Sequence, residues 1–152
     1  MSHEYRATIR WAASGDVLKG HYSRAHEWEF DGGTVVPASA SPGIVPLPWS
    51  DESAVDPEEA FVASLSSCHM LFFVDFARRA GFAPATYADD AVGVMTKAGD
   101  GRMWVSRVEL NPVVTWSSEA PSQDDLRGLH HRAHDACFIA NSVRTEVVTN
   151  LT

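Results

Sequence analysis

The chain has 152 residues, about the length of a single domain, and we expect one domain over residues 1–152. Its hydrophobic fraction of 45% and charged fraction of 21% exclude a disordered or collagen-like chain. With 20 acidic against 12 basic residues, the net charge of -8 argues against a nucleic-acid partner or an anionic membrane surface. The opening residues MSHEYRATIR contain no apolar segment, and no window approaches about 20 apolar residues. We therefore expect no signal peptide, no membrane span and a cytoplasmic protein.

The first third of the chain predicts a small antiparallel meander. Residues 4–11 alternate in polarity, with Ile9 and Trp11 on one face, which is typical of a half-buried strand. Turns are predicted at Ser14-Gly15-Asp16 and at Asp31-Gly32-Gly33. Prolines then interrupt residues 36–57 and predict a long surface loop. Trp49 within it either folds back over a cleft or belongs to a loop that merely covers the core.

The sequence Asp56-Pro57-Glu58-Glu59 predicts the start of a helix. It offers an N-cap aspartate, a proline for the first helical position, and two carboxylates at the positive end of the helix dipole. The helix should continue to Ala80 and stop at Gly81. Its apolar residues lie nearly all round the circumference, so we expect a central, buried helix.

The remaining elements complete an α+β pattern. Residues 86–117 predict two long strands joined at Gly99-Asp100-Gly101, with Pro112 marking an edge or a bulge. Ser122 and Asp125 resemble a capping box before a helix that ends near Ala136. Residues 143–151 have the β-branched content of a final strand. Strands, helix, strands, helix and strand define an α+β fold.

The two cysteines, Cys68 and Cys137, are the residues that carry chemistry. Two thiols are too few for a secreted disulfide scaffold, so the pair is redox-active, metal-binding or simply buried. An ordinary thiol is mostly protonated at neutral pH, and burial makes the thiolate scarcer still. A reactive Cys68 therefore needs an arginine beside it and a carboxylate that holds the arginine. The candidates are Arg24 and Arg10, with Glu58 or Glu59.

Each of these residues also has an alternative explanation. His130, His134 and Cys137 stand at i, i+4 and i+7 on one helical face, and His131 adds a further ligand type that zinc accepts. Cysteine is among the most buried residues, so Cys68 alone is as well explained by core packing. His69 is expected to be a packed or interface histidine. Arg24 and Glu58 are also consistent with a strand-surface cation and a carboxylate at the helix dipole.

Two segments of the chain resemble the OsmC/Ohr family, the osmotically induced protein C and organic hydroperoxide resistance proteins. Residues 56–70, DPEEAFVASLSSCHM, resemble the family's first-cysteine helix, and residues 134–142, HDACFIANS, its second-cysteine segment. The element order also matches, and the resemblance is weak between residues 34 and 54. His69 and Met70 look more like the OsmC-type branch than the Ohr branch. Phe138 departs from the pattern, because a proline usually follows the second cysteine.

The resemblance implies antiparallel sheets packed around a long central helix in an intertwined homodimer. It implies a thiol-dependent peroxidase that reduces organic hydroperoxides without a cofactor or a metal. By position, Cys68 would attack the peroxide and Cys137 would resolve the sulfenic acid to a disulfide, which an external dithiol, for example of the lipoyl type, would reduce. Glu58 and Arg24 would be the activating pair.

The spacing of Glu58 and Cys68 adds a prediction about assembly. Ten helical residues separate their Cα atoms by about 15 Å along the axis, so one guanidinium cannot touch both. Glu58 also leans toward the N-terminus, away from Cys68. We therefore expect an obligate homodimer with composite sites, in which Glu58 comes from the second chain. A zinc protein or a non-enzymatic binding protein of the same fold is the alternative.

Overall fold

The computed structural model describes residues 1–151, which form an α+β chain, as expected. The chain divides into two compact units, Met1–Ala60 and a second unit that begins at Phe61. The elements are β1 (Ala7–Arg10), β2 (Gly15–Asp16), β3 (His21–Tyr22), β4 (His26–Phe30), β5 (Val35–Ala38), α1 (Pro57–Arg79), β6 (Pro84–Asp89), β7 (Val92–Lys97), β8 (Met103–Leu110), β9 (Pro112–Trp116), α2 (Gln123–Ala136), a 3-10 turn (Ala140–Ser142) and β10 (Glu146–Thr149).

The first unit contains the predicted meander, an antiparallel sheet in the order β1-β4-β5. The turn at Asp31-Gly32-Gly33 is confirmed, and Gly33 supplies the positive φ of 84° that it needs. The first turn is displaced from the predicted position. Gly15–Asp16 is itself a strand against His21–Tyr22, and the chain reverses over residues 17–20. A Cβ at Gly15 would lie 2.2 Å from the His21 carbonyl oxygen, so this pairing requires glycine.

The first strand is shorter and more exposed than the sequence indicates. β1 covers Ala7–Arg10 instead of residues 4–11, and all four of its residues are exposed. Ile9 keeps 59% of its surface and Trp11 46%. The alternation predicted correctly which side chains share a face, but the expectation that the face is half-buried is wrong for the single chain.

The proline-rich segment is a loop, as expected, and it packs on the first unit. The Trp49 ring stacks on His21, with centroids 5.3 Å apart and planes 6° apart, and its carbonyl accepts from the Arg24 N–H at 2.9 Å. Further along, the Ser39 hydroxyl accepts from the Asp51 N–H at 3.0 Å. These contacts fix the loop beside the segment that carries Arg24.

Helix α1 begins where the local sequence predicts. Asp56 Oδ1 accepts from the Glu59 N–H at 2.8 Å, and Glu59 Oε2 accepts from the Asp56 N–H at 3.0 Å, so the two residues form a reciprocal capping box. The helix ends at Arg79, one residue before the expected end, and Gly81 follows with a φ of 91°.

The prediction that α1 is buried nearly all round needs correction. One face is buried, formed by Leu65, His69, Phe73 and Ala77, whereas Leu71 keeps 64% of its surface. His69 is therefore packed, as expected. Among the described residues, α1 is long and apolar enough to cross a bilayer by composition alone, contrary to the expectation that no segment is. Core helices of globular proteins pass the same test.

The two long strands predicted over residues 86–117 are each broken in two. Near the Gly99-Asp100-Gly101 turn β7 pairs with β8, and farther away β6 pairs with β9. Asp89 Oδ1 accepts from the Asn111 N–H at 2.6 Å, and Asn111 Nδ2 donates to the Asp90 carbonyl at 2.8 Å. These side-chain bonds replace ladder bonds at the break, and Pro112 starts the new strand.

The second helix and the last strand lie as expected. Ser122 caps α2 by accepting from the Asp125 N–H at 3.1 Å, and the helix ends at Ala136. β10 covers Glu146–Thr149 and adds to β8 in parallel, which makes that sheet mixed. In the second unit the buried face of α1 packs against Leu129 and Ala133 of α2, and Leu65 packs against Val108 and Leu110 of β8.

Candidate active site

The structure brings the two cysteines together. Cys68 lies on α1 with its thiol half-buried, and Cys137 is the C-cap residue of α2, with 1% of its surface exposed. Both are free thiols, and Cys68 lies close enough to Cys137 to contribute to the raised pKa of the Cys137 thiol. Residues 69 positions apart in sequence therefore present two sulfurs to each other at the junction of the two helices.

The electrostatic environment of Cys137 keeps its thiol protonated. Burial raises the pKa of Cys137 to about 11, and the contact with Cys68 contributes in the same direction. The backbone N–H of Ala140 donates to the Cys137 sulfur at 3.4 Å and opposes part of this effect. At neutral pH Cys137 is thus a buried, neutral thiol, whereas Cys68 is open to solvent on one side.

An aromatic pair flanks the two sulfurs. Phe72 follows Cys68 by one turn of α1, and Phe138 follows Cys137 directly in sequence. Their rings meet edge to face, with centroids 5.0 Å apart and planes at 87°. Phe138 keeps 69% of its surface, so an exposed apolar ring follows Cys137 where the resemblance leads us to expect proline.

Behind the cysteines, two histidines connect the helices. His69, next to Cys68, and His130 of α2 are 1% and 3% exposed. His69 Nε2 lies 2.9 Å from His130 Nδ1, and the His130 ring stacks on Phe73 at 4.1 Å between centroids. Burial lowers the pKa of each histidine to about 4, so both rings are neutral at physiological pH.

The sequence did not predict this histidine pair. From the sequence we expect His69 to be packed, and His130 is a candidate zinc ligand. Both lie on the apolar faces of their helices, which is the signal that their rings are buried. Their pairing is a contact across 61 residues that no local pattern contains.

The zinc alternative finds no support in the geometry. His130 is bonded to His69, and exposed His131 pairs with Asp135 at 3.3 Å. Within residues 1–151, no group of three or more His, Cys, Asp or Glu side chains is placed to hold a metal ion. The predicted ligands His130, His134 and Cys137 share a helical face without converging on one point.

Of the candidate arginines, Arg24 is the one without a carboxylate partner within residues 1–151. Arg10 is paired with Glu29 at 3.0 Å. The Arg24 guanidinium donates to the carbonyls of Tyr22 at 2.6 Å and Gly20 at 3.2 Å, and lies 3.6 Å above the centroid of the Tyr22 ring. In the part of the chain that the structure describes it makes no ion pair, so its positive charge is positioned by neutral groups and not cancelled.

Arg24 also lines a mainly apolar cavity of the first unit. The cavity has a volume of about 550 Å³, and Ile9, Trp11, Val17 and Tyr22 contribute to its wall. Pro57, the first residue of α1, reaches it too. Glu58 follows in the first turn of α1 and is half-buried. The roles of Arg24 and Glu58 at Cys68 stay predictions.

Comparison with known proteins places the chain in a family. A family model described as OsmC-like protein matches residues 50–152. The chain is 48% identical to an OsmC-like protein of unknown function from Vibrio cholerae, whose structure matches with a TM-score of 0.96 over 99% of this chain and 100% of that one. No curated protein sequence matches. The chain belongs to the OsmC-like protein family.

More distant structures share the fold. An organic hydroperoxide resistance protein from Elizabethkingia anophelis is 19% identical, with a TM-score of 0.70 over 100% of this chain and 97% of that one. The organic hydroperoxide resistance protein OsmC from Legionella pneumophila is 17% identical, with a TM-score of 0.69 over 99% of this chain and 97% of that one. The expected family and the α+β fold with antiparallel sheets and two helices are thereby confirmed.

Proposed function

We propose that the protein is a thiol-dependent peroxidase that reduces organic hydroperoxides. The observation that carries this proposal is the contact between two free thiols, Cys68 on α1 and Cys137 at the end of α2. Two neighbouring thiols can be oxidised to a disulfide and reduced again by an external dithiol. Relatives of the same fold that are named organic hydroperoxide resistance proteins support the choice of oxidant.

The environments of the two thiols support one distribution of roles between them. The attacking sulfur must meet the peroxide and react as a thiolate. Cys68 is accessible, whereas Cys137 is buried and its pKa is raised to about 11, so Cys137 is a poor nucleophile toward a peroxide from solvent. Cys68 is therefore the peroxidatic thiol and Cys137 the resolving thiol.

The chemistry then has three steps. The Cys68 thiolate attacks one oxygen of ROOH, the O–O bond breaks, and after one proton is taken up the products are ROH and a Cys68 sulfenic acid. The Cys137 sulfur attacks the sulfenic sulfur, forming the disulfide and releasing water. An external dithiol reduces the disulfide by two successive exchanges and leaves as its own disulfide.

Arg24 and Glu58 complete the proposed site. A guanidinium within about 4 Å stabilises a thiolate in a partly buried site. Arg24 suits this role because neutral carbonyls and the Tyr22 ring hold its charge in place. Glu58 would hold the arginine from across a homodimer interface, since it lies ten residues before Cys68 on the continuous helix α1.

The aromatic pair Phe72–Phe138 favours apolar substrates. An exposed phenyl ring on the residue after Cys137 offers apolar surface to an alkyl or aryl group and nothing comparable to hydrogen peroxide. We therefore expect a higher kcat/KM for cumene hydroperoxide than for hydrogen peroxide.

Cysteine variants test the proposal. Peroxide consumption is followed with cumene hydroperoxide and dihydrolipoamide for wild type, Cys68→Ser, Cys137→Ser and the control Ser67→Ala, an exposed neighbour on α1. Cys68→Ser should abolish turnover, since only its thiolate opens the O–O bond. Cys137→Ser should reduce one equivalent of peroxide and retain a sulfenic acid that dimedone labels.

Two outcomes would contradict the proposal. Full activity of Cys68→Ser would exclude Cys68 as the nucleophile. A wild-type protein that consumes no organic hydroperoxide, although its two thiols are reduced at the start, would indicate a non-enzymatic member of the family.

A further inference from the structure

The buried histidine pair is a hydrogen-bonded connection between α1 and α2, the two helices that position the cysteines. His69 follows Cys68 directly in sequence, and His130 precedes Cys137 by seven residues, two turns earlier on the same face of α2. The rings lie nearly parallel, 11° apart, and His69 Nε2 is 2.9 Å from His130 Nδ1. The proposed reaction uses neither ring.

The hydrogen-bond partners of the two rings indicate which nitrogen of each histidine carries the proton. Among the described residues His69 Nδ1 is buried without a partner. A buried N–H without an acceptor is rarer in proteins than an unused lone pair, so the His69 proton belongs on Nε2. His69 Nε2–H then donates to the lone pair of His130 Nδ1, and the His130 proton lies on Nε2. Both rings are neutral, as their burial requires.

This bond restricts how the two helices can move against each other. Phe73 and Ala77 of α1 also pack against Leu129 and Ala133 of α2, and the Arg132 guanidinium lies 4.5 Å from the centroid of the Phe76 ring. Apolar contacts vary little in energy when one helix slides or rotates slightly, whereas a buried hydrogen bond depends steeply on distance and angle. The histidine pair therefore fixes the rotation of α2 about its axis and its position along that axis relative to α1.

The proposed disulfide step is the one that needs such precision. Attack of a peroxide on Cys68 requires access to one sulfur. A disulfide requires two sulfurs about 2 Å apart and a narrow range of Cα separations and dihedral angles. An error of about 1 Å in the relative position of two reacting groups can cost about a hundredfold in rate.

We propose that the His69–His130 hydrogen bond is a positioning element that aligns Cys137 with Cys68, so that it sets the rate of disulfide formation and leaves the reduction of peroxide by Cys68 unchanged. This inference rests on the proposed function for its kinetic part. Its thermodynamic part, the stability of the Cys68–Cys137 disulfide, does not depend on which oxidant forms the bond. His69 and His130 touch no reacting atom and act through the two helices.

Two matched pairs of variants separate hydrogen bonding from packing. Asn carries its side-chain oxygen close to the position of histidine Nδ1, so His130→Asn keeps an acceptor for His69, and His130→Leu removes it. Gln carries its amide nitrogen close to the position of Nε2, so His69→Gln keeps the donor and His69→Leu removes it. If one leucine variant does not fold, the other pair still gives the comparison.

The rates of the two steps are measured in a single turnover with cumene hydroperoxide. Sulfenic acid is trapped with dimedone, and the disulfide is quantified by mass spectrometry. In the leucine variants we expect disulfide formation to slow by about tenfold or more, with sulfenic acid formation within about twofold of wild type. The Asn and Gln variants should recover most of the rate.

The reduction potential of the thiol pair provides the independent readout. It is measured by equilibration with dithiothreitol buffers after oxidation with diamide, so it needs no peroxidase activity. Tenfold destabilisation of the disulfide in a leucine variant would raise the potential by about 30 mV. If the histidine pair positions the thiols, the reduction potential should rise in the two leucine variants and remain at the wild-type value in His130→Asn and His69→Gln.

Three results would overturn the inference. Wild-type rates and potential in the leucine variants would show that the bond does not position the thiols. If the Leu variants and the Asn and Gln variants lose the same fraction of the rate of disulfide formation, the packing of the rings, and not the hydrogen bond, would align the thiols. An equal slowing of sulfenic acid formation would place the effect on Cys68 itself. If wild type forms no sulfenic acid but the diamide potentials shift as expected, the peroxidase proposal fails and the positioning role stands.

Discussion

At the scale of single residues, two neutral histidines are placed where protonation is unfavourable. A histidine in an unfolded chain has a pKa near 6.5, whereas burial lowers the pKa of His69 and His130 to about 4. Of the charged groups around them, His134 lowers the pKa of His69 further and Asp89 raises it. Burial is the largest cause for both rings, so the native state resists taking up protons that the unfolded state accepts.

This difference predicts acid sensitivity. Above pH 6.5 both states are neutral at these residues, and their contribution to stability is fully present. Between pH 6.5 and about 4 the unfolded state binds more protons, so the free energy of unfolding should fall as the pH is lowered through this window. Urea unfolding at several pH values measures this dependence of the free energy of unfolding on pH.

The matched variants isolate the histidine contribution from that of the carboxylates. The double variant His69→Leu/His130→Leu should show a clearly weaker dependence on pH between 6.5 and 4. His131→Gln, which removes an exposed histidine from the same helix, should follow the wild-type profile. Identical slopes for the double variant and wild type would contradict the prediction.

The residues of the site differ in how well the sequence predicts them. Cys68 and Cys137 are predicted because thiols are rare and their flanking segments carry the family pattern, and in the structure Cys68 is near enough to raise the pKa of Cys137. Arg24 has no such local pattern, since what distinguishes it from Arg10 is the absence of a carboxylate partner within residues 1–151. The His69–His130 pair depends on the packing of two helices, which the sequence does not specify locally.

At the scale of the elements, local hydrogen bonds are the part that the sequence predicts best. The start of α1 follows from Asp56 and Glu59, which bond to each other's backbone N–H groups three residues apart. The break between β6 and β7 depends on Asp89, which accepts from the N–H of Asn111, 22 residues away. The alternating pattern of residues 86–117 continues through that break, so it predicts strands but not their ends.

The capping box of α1 should have a measurable effect on stability. Asp56→Ala removes the acceptor for the Glu59 N–H and should lower the free energy of unfolding by about 1 kcal/mol. For a chain of this size the corresponding loss in Tm is about 2–4 °C. Asp56→Asn keeps a side-chain oxygen and should remain close to wild type. Equal stability of Asp56→Ala and wild type in thermal unfolding would show that other contacts define this helix start.

At the scale of the whole molecule, each of the two units carries large apolar side chains that are exposed in the single chain. In the first unit Leu18, Tyr5 and Ile9 keep 100%, 88% and 59% of their surface, and in the second Leu71 keeps 64%. Exposed apolar side chains of this size are candidates for contact with a second chain. The homodimer stays a prediction, and Ile9 of β1 and Leu71 of α1 are candidate interface residues for testing it.

The dimer can be tested by sedimentation at micromolar concentration. Wild type should sediment as a dimer, and Leu71→Glu should weaken the association because it places a charge in an apolar contact. Gln123→Glu adds the same charge at the exposed start of α2 and should leave the dimer intact. A monomeric wild-type protein would exclude the assembly and, with it, the composite site.

A mixed dimer tests whether Glu58 acts across that interface. Cys68→Ser and Glu58→Gln chains are co-expressed with different affinity tags, and the heterodimer is isolated by two purification steps. If Glu58 serves the partner's thiol, one site of the heterodimer combines the intact Cys68 of one chain with the intact Glu58 of the other. Both homodimers should then be strongly impaired, and the heterodimer should recover about half of the wild-type activity. If Glu58 serves Cys68 of its own chain, each site keeps one defect and no activity returns, because the distance of about 15 Å along α1 would then be bridged within one protomer.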